Sequence, residues 1–190
     1  MVLDAFFAVP EGARATSRIA ILNQGFAHDL WRWVLEMGEP VDLVGLDFAP
    51  ETVAAQHPVL LIPSGGLFGL ENDTGFRARL EEYTRLGGTL LTFSQQHGYE
   101  YSALPGGEVG GYGWDEDIAC FRSALHMETW HPILYGFTRD TLTVHVDGYF
   151  DRWPQEAQIL LSRTANGQPS VLRYPFGEGQ VIAGSNSGLV

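Results

Sequence analysis

Short apolar segments alternate with helical patterns along the first half of the chain, and this alternation restricts the possible folds more than any other feature. Four segments have the length and composition of buried strands, namely 18–23, 41–46, 59–63 and 89–93. Helical spacing of apolar residues, or a proline start, predicts helices at 28–37, at 50–56 and from Asp73 or Thr74 onwards. Strands joined in this way by helices form parallel sheets covered on both faces. We therefore predict an α/β three-layer sandwich with a mostly parallel central sheet.

The second half of the sequence changes character and predicts a β-rich C-terminal part. A glycine-rich loop at 105–114 is followed by strand patterns at 141–146, 158–163, 171–174 and 181–183. Asn166-Gly167 and the turn at 177–179 predict hairpins, so part of this region should be antiparallel. We assign 1–17 to an entry segment and 18–190 to one domain. Because the sequence stops just after a predicted strand, we expect it to be a fragment of a longer protein.

Composition and charge exclude several classes of protein. The 190 residues are 45% apolar and 18% charged, which indicates a folded, soluble chain rather than a disordered one. The net charge is −12 and all eleven basic residues are arginine, so we expect no binding to nucleic acid. No apolar run reaches the ~18 residues of a membrane span, and no signal peptide is visible. Compartment and oligomeric state stay open.

The carboxyl ends of the predicted parallel strands carry the candidate ligand site. Ligands of such folds usually bind beyond these ends, because the neighbouring strands finish at one edge of the sheet. The candidate residues there are Ser64, Gly65, Gly66, Ser94, Gln95, Gln96 and His97, with His131 added from later in the chain. The glycine turn could offer N–H groups to an anion, or could be a plain strand-to-helix turn. The side-chain amides of Gln95 and Gln96 and the imidazole of His97 could bind hydroxyls or a carboxylate of a ligand, or could only cap the turn.

The stretches VLLIPSGGL, LEEYTRLGGTLLTF and VLRYPFGEGQVIAGS carry a family resemblance. Together they resemble the class I glutamine amidotransferase-like superfamily, most evidently over residues 18–104, and its ThuA-like and β-galactosidase-associated branch. The resemblance implies a flavodoxin-like fold. It also implies a nucleophile elbow, G-x-C-x-G, after the fourth strand, where the helix N-terminus would favour a thiolate.

Both catalytic parts of that superfamily are missing from the sequence. Gln96 occupies the position of the cysteine, and His131-Pro132-Ile133 lacks the glutamate of the partner motif. We therefore predict no catalytic residues of the amidotransferase type and a non-catalytic binding or assembly module of a larger protein. Its partners would be a small polar ligand or a sugar, and other domains of the parent protein. The alternative is a hydrolase acting on a sugar or small polar substrate, with a site rebuilt from Gln96, His97, His131 and the acidic loop.

The remaining chemistry-bearing residues lie near the glycine-rich loop. The acidic loop, Asp115-Glu116-Asp117, could bind a cation, but its spacing matches no zinc or EF-hand motif, so solvated charge is the simpler interpretation. Cys120 stands in an apolar setting and is expected to be a buried, inert thiol. No phosphate-loop or dinucleotide fingerprint is present, so we predict neither cofactor nor metal. Aromatic residues around the loop suit either sugar binding or a small satellite core: Tyr99, Tyr101, Tyr112, Trp114 and Trp130.

Overall fold

A computed structural model describes residues 17–117, 122–135, 143–146 and 148–185. The first half contains four parallel strands, β1 (Ile19–Leu22), β2 (Val41–Val44), β3 (Val59–Ile62) and β4 (Thr89–Thr92). They alternate with three α-helices, α1 (Ala27–Glu36), α2 (Pro50–Gln56) and α3 (Thr74–Arg85). The predicted alternation is confirmed. Asp73 caps α3, because its carboxylate accepts a hydrogen bond from the Phe76 N–H at 2.8 Å.

The second half adds seven strands to the described part of the chain. These are β5 (Gly110–Tyr112), β6 (Arg122–Met127), β7 (Thr143–His145), β8 (Tyr149–Arg152), β9 (Gln158–Arg163), β10 (Pro169–Phe176) and β11 (Gly179–Gly184). Two 3-10 helices, Gly98–Ala103 and Pro132–Leu134, complete it. The predicted hairpins form at both turns, and β9, β10 and β11 pair antiparallel. The prediction of a β-rich, partly antiparallel C-terminal region is confirmed.

One large sheet organises the molecule. Its strand order is β2-β1-β3-β4-β11-β10-β9-β6-β7, and β5 pairs with β8 in a separate two-stranded sheet. The first five strands in this order, β2, β1, β3, β4 and β11, are parallel to one another. Each later pair of neighbouring strands, beginning with β11 and β10, is antiparallel. This is the predicted mostly parallel, flavodoxin-like arrangement. No helix within the described ranges is long and apolar enough to cross a membrane.

Alternating side chains of the strands fill two cores, one on each face of the sheet. On β1, Ala20 and Leu22 pack into the core beneath α2 and α3, whereas Ile21 packs on the opposite face against α1. Phe76, Leu80 and Tyr83 supply the buried stripe of α3. Full burial of one such side chain is worth about 1.5–3 kcal/mol. The sheet is thus held between two layers, and the carboxyl ends of its parallel strands share one edge.

Candidate functional site

The turns after β3 and β4 meet at the carboxyl edge of the sheet. The Ser64 and Ser94 hydroxyl oxygens are 3.2 Å apart, and the Gly65 N–H donates to the Ser94 carbonyl at 3.1 Å. The two turns are adjacent because β3 and β4 are parallel neighbours in register. Gly65 has φ +67°, and a Cβ there would lie 3.3 Å from the Trp114 ring. A glycine at position 65 therefore permits both the positive φ of the turn and the close approach of the Trp114 indole.

The N–H groups of the two glycines in this turn are not free for an anion. The Gly66 N–H donates to the Pro63 carbonyl at 2.9 Å, and the Leu67 N–H donates to Gln95 Oε1 at 2.8 Å. The Gly65 N–H is already used by Ser94. An oxyanion site needs free, convergent N–H groups. Of the two interpretations left open above, the plain strand-to-helix turn is the one that these bonds favour.

The Gln95 side chain is buried and has a structural role, and it is not exposed to a ligand. Its amide nitrogen donates to the Pro63 and Phe93 carbonyls at 3.1 and 2.8 Å, which uses both amide hydrogens. Its own N–H donates to the Tyr101 hydroxyl, and that hydroxyl donates to the Gly184 carbonyl at 2.9 Å. The bonds of Gln95 thus fasten the ends of β3, β4 and β11 together.

The turn at Gln96 lacks the strained geometry of a nucleophile elbow. Only glycines have positive φ among the described residues, so Gln96 keeps an ordinary backbone conformation. The Gln96 N–H donates to Glu100 Oε2 at 3.1 Å. Glu100 is the third residue of the following 3-10 helix and reaches back as in a capping box. Burial raises the pKa of the Glu100 carboxyl, and the charge of Glu71 adds to that rise.

The acidic loop docks onto this turn, so its interpretation as solvated charge holds only in part: Asp115 and Glu116 are exposed, whereas Asp117 is buried. Glu116 Oε2 accepts hydrogen bonds from the Gly98 and Gly113 N–H groups at 2.8 and 2.9 Å. Asp115 Oδ2 accepts from the Gln96 side-chain amide at 2.8 Å. Asp117 is buried and forms an ion pair with Arg163 on β9. Within the described ranges, no group of three acidic, histidine or cysteine side chains is arranged to hold a metal.

His97 lies between two carboxylates without hydrogen bonding to either. Its Nδ1 is 3.7 Å from Glu116 Oε1, and its Nε2 is 4.0 Å from Asp115 Oδ2. The ring stacks on Tyr99 at a centroid distance of 5.0 Å and an interplanar angle of 9°. A base and its orienting group normally lie about 2.6–3.2 Å apart. The imidazole therefore lies near two carboxylates, but neither of them orients it by a hydrogen bond.

Exposed aromatic rings border the same edge. Phe26 is 53% exposed and meets Trp114 edge to face at a centroid distance of 6.5 Å. Tyr99 is 48% exposed, whereas Tyr101 is fully buried and belongs to the core. We call the following set the carboxyl-edge surface: Phe26, Gln96, His97, Tyr99, Trp114 and Asp115. Sequence reasoning missed Phe26, although its position just after β1 placed it at this edge.

His131 lies apart from the other candidates. It caps the 3-10 helix Pro132–Leu134, where its Nδ1 accepts from the Ile133 N–H at 3.3 Å. Partial burial lowers the pKa of the imidazole, and the nearby charge of Arg173 on β10 lowers it further. Arg173 bonds to Gln158 and Gln180 rather than to the turns. The contacts of His131 therefore connect it with the antiparallel half of the sheet. The Cys120 prediction lies outside the described residues.

Comparisons with known proteins establish similarity of fold. No family model and no curated protein matches the chain. Among solved structures, a GMP synthase subunit from Thermoplasma acidophilum superposes with a TM-score of 0.60 and 12% identity, covering 92% of this chain and 85% of that one. A cytoplasmic protein from Salmonella typhimurium LT2 gives 0.54 at 15% identity, covering 88% and 87%.

A β-galactosidase from Rahnella sp. R3 gives a TM-score of 0.56 at 13% identity, and covers 92% of this chain. The match spans only 29% of the length of that enzyme. At these identities the likeness shows the fold alone. It agrees with the α/β fold predicted from the sequence.

Proposed function

We propose that this chain is a non-catalytic, amidotransferase-like binding module of a larger protein, and that its carboxyl-edge surface holds a carbohydrate. The observation that carries the proposal is that three backbone N–H groups at the turn already donate hydrogen bonds to side chains of the same chain. The N–H groups of Gln96, Gly98 and Gly113 donate to Glu100 and Glu116. An acyl-transfer site would need such donors free for the developing negative charge.

The surface that remains suits a ligand rich in hydrogen-bond donors. Ionised carboxylates accept hydrogen bonds and donate none, and Asp115 has about half of its side chain exposed. Trp114, whose ring meets that of Phe26, directly precedes Asp115 in the chain. Sugar hydroxyls can donate to carboxylates while the apolar face of the ring rests on an aromatic side chain. The short span of the match to the Rahnella β-galactosidase is consistent with a module inside a larger protein.

The test combines binding and turnover on the same samples. Neutral oligosaccharides built from glucose and galactose are titrated by calorimetry, and released reducing ends are assayed in parallel. Trp114→Ala should weaken binding, because an aromatic contact is worth about 0.5–1.5 kcal/mol, or up to about tenfold in Kd. Trp33→Ala is the matched control, since Trp33 is 42% exposed on α1. Failure of every sugar to bind would contradict the proposal.

A hydrolase is the second candidate, and the placement of His97 between Asp115 and Glu116 favours it. Both distances exceed hydrogen-bond reach, so closure around a substrate would have to bring these groups together. Release of reducing ends that Asp115→Asn abolishes would establish this candidate in place of the binding module. Binding without turnover supports the module.

A further inference from the structure

The carboxyl-edge surface carries more negative charge than its surroundings balance. Asp115 and Glu116 lie on either side of the His97 ring. Among the ion pairs of the described residues, none joins either carboxylate to an arginine. Within that part of the chain, the His97 imidazole is the basic side chain that lies beside them.

Glu100 adds a second and independent observation. Its side chain is fully buried, and one oxygen accepts the Gln96 N–H at the turn. The other oxygen, Oε1, has no hydrogen-bond partner within the described part of the chain. A buried carboxylate oxygen without a partner is costly. A positive charge bound beside the turn would favour the ionised form of this group.

Three backbone N–H groups at the turn already donate within the chain, whereas the half-exposed Asp115 carboxylate can accept further hydrogen bonds. A neutral acetamido group would bring a carbonyl that needs an N–H partner, yet those of Gln96, Gly98 and Gly113 are taken. An ammonium group brings only donors, and charge-assisted bonds to carboxylates are roughly twice as strong as neutral ones.

We propose that the carbohydrate held at this surface is a cationic amino sugar, a hexosamine whose ammonium group is free. This inference rests on the proposed function and narrows its ligand class. The ammonium would lie against Asp115 and Glu116, and the sugar ring against Phe26 and Trp114. N-acetylation removes the positive charge, so it should remove the preference.

The experiment compares a β-1,4-linked glucosamine trisaccharide with its N-acetylated counterpart by calorimetry, on the full chain. An exposed ion pair is worth up to about a fivefold change in affinity. We expect the glucosamine trisaccharide to bind up to about fivefold more tightly, with the difference shrinking at high salt. Asp115→Asn should reduce the preference while keeping the acceptor for the Gln96 amide. Glu39→Gln is the matched control, because it removes one exposed carboxylate next to the amino end of β2.

Each outcome decides the inference. Equal binding of the two trisaccharides would overturn it and leave the binding module intact, whereas absence of binding by either would overturn the module as well. A preference that Glu39→Gln reduces as much as Asp115→Asn does would show general attraction to an acidic protein and would also overturn it. So would an affinity for the glucosamine trisaccharide that Trp114→Ala leaves unchanged. A preference reduced by Asp115→Asn and not by Glu39→Gln, with both trisaccharides bound more weakly by Trp114→Ala, supports it.

Discussion

The hydroxyl of Tyr101 should contribute more to stability than that of a comparable buried tyrosine, because it bridges two strand ends. It accepts from the Gln95 N–H at 3.1 Å and donates to the Gly184 carbonyl at 2.9 Å. Tyr101→Phe leaves a buried N–H unsatisfied, at about 1–3 kcal/mol, and removes a bond worth about 0.5–1.5 kcal/mol. The expected loss in the free energy of unfolding is therefore about 2–4 kcal/mol.

Tyr83→Phe is the matched control. The Tyr83 side chain is also fully buried, but its hydroxyl only donates, to the His57 carbonyl at 2.9 Å. Tyr83→Phe leaves one buried carbonyl without that partner, whereas Tyr101→Phe affects both an N–H and a carbonyl. The loss from Tyr83→Phe should therefore be the smaller, about 1–2 kcal/mol. Urea unfolding of the three proteins measures both values, and thermal melting should show a fall of about 2–4 °C per kcal/mol for a chain of this size. Equal losses in the two variants would refute the argument that Tyr101 holds the turn.

Three further predictions concern the same turn. Glu100→Gln should remove a pH dependence of the free energy of unfolding. Burial raises the pKa of Glu100, so the folded state holds a proton that the unfolded chain releases above about pH 4.3. The stability of the wild type should therefore fall above that pH. Parallel melting curves of wild type and variant across that range would contradict this. Gly98→Ala should cost more in urea unfolding than Gly69→Ala, because a Cβ at Gly98 would meet the Gly111 carbonyl oxygen at 1.8 Å. At Gly69, with φ +75°, a Cβ meets open space and the cost is backbone strain alone. Equal costs would argue against the packing described here. Gln96→Cys should show no glutaminase activity in an ammonia-release assay, since the neighbouring N–H groups are engaged; measurable ammonia release would contradict it.

Local patterns were sufficient to predict most of the fold. The helix at 50–56 and the strand at 158–163 have the predicted bounds, because a proline start and an apolar run define them without help from distant residues. The pairing of β5 with β8 was not predictable, since it joins a glycine-rich loop to a segment some forty residues later along the chain. No local signal reports such a long-range pairing.

The candidate site was predicted only in part, because its roles depend on tertiary contacts. The strand ends do meet at Ser64 and Ser94, as parallel topology requires. The docking of Glu116 onto Gly98 could not be inferred, because the partners lie eighteen positions apart along the chain, with a 3-10 helix and β5 between them. The capping role of Glu100 had a weak signal in its spacing from His97, although a Ser or Thr cap would have been clearer.

The most direct test of the carboxyl-edge surface is a ¹H–¹⁵N correlation spectrum recorded while the glucosamine trisaccharide is added. We predict that the indole signal of Trp114 and the amide signals of Phe26, Gln96 and Asp115 move together in a saturable way. Movement confined to the opposite edge, in the groove lined by Arg18, Leu35, Asp42, Gln56 and His57, would contradict it.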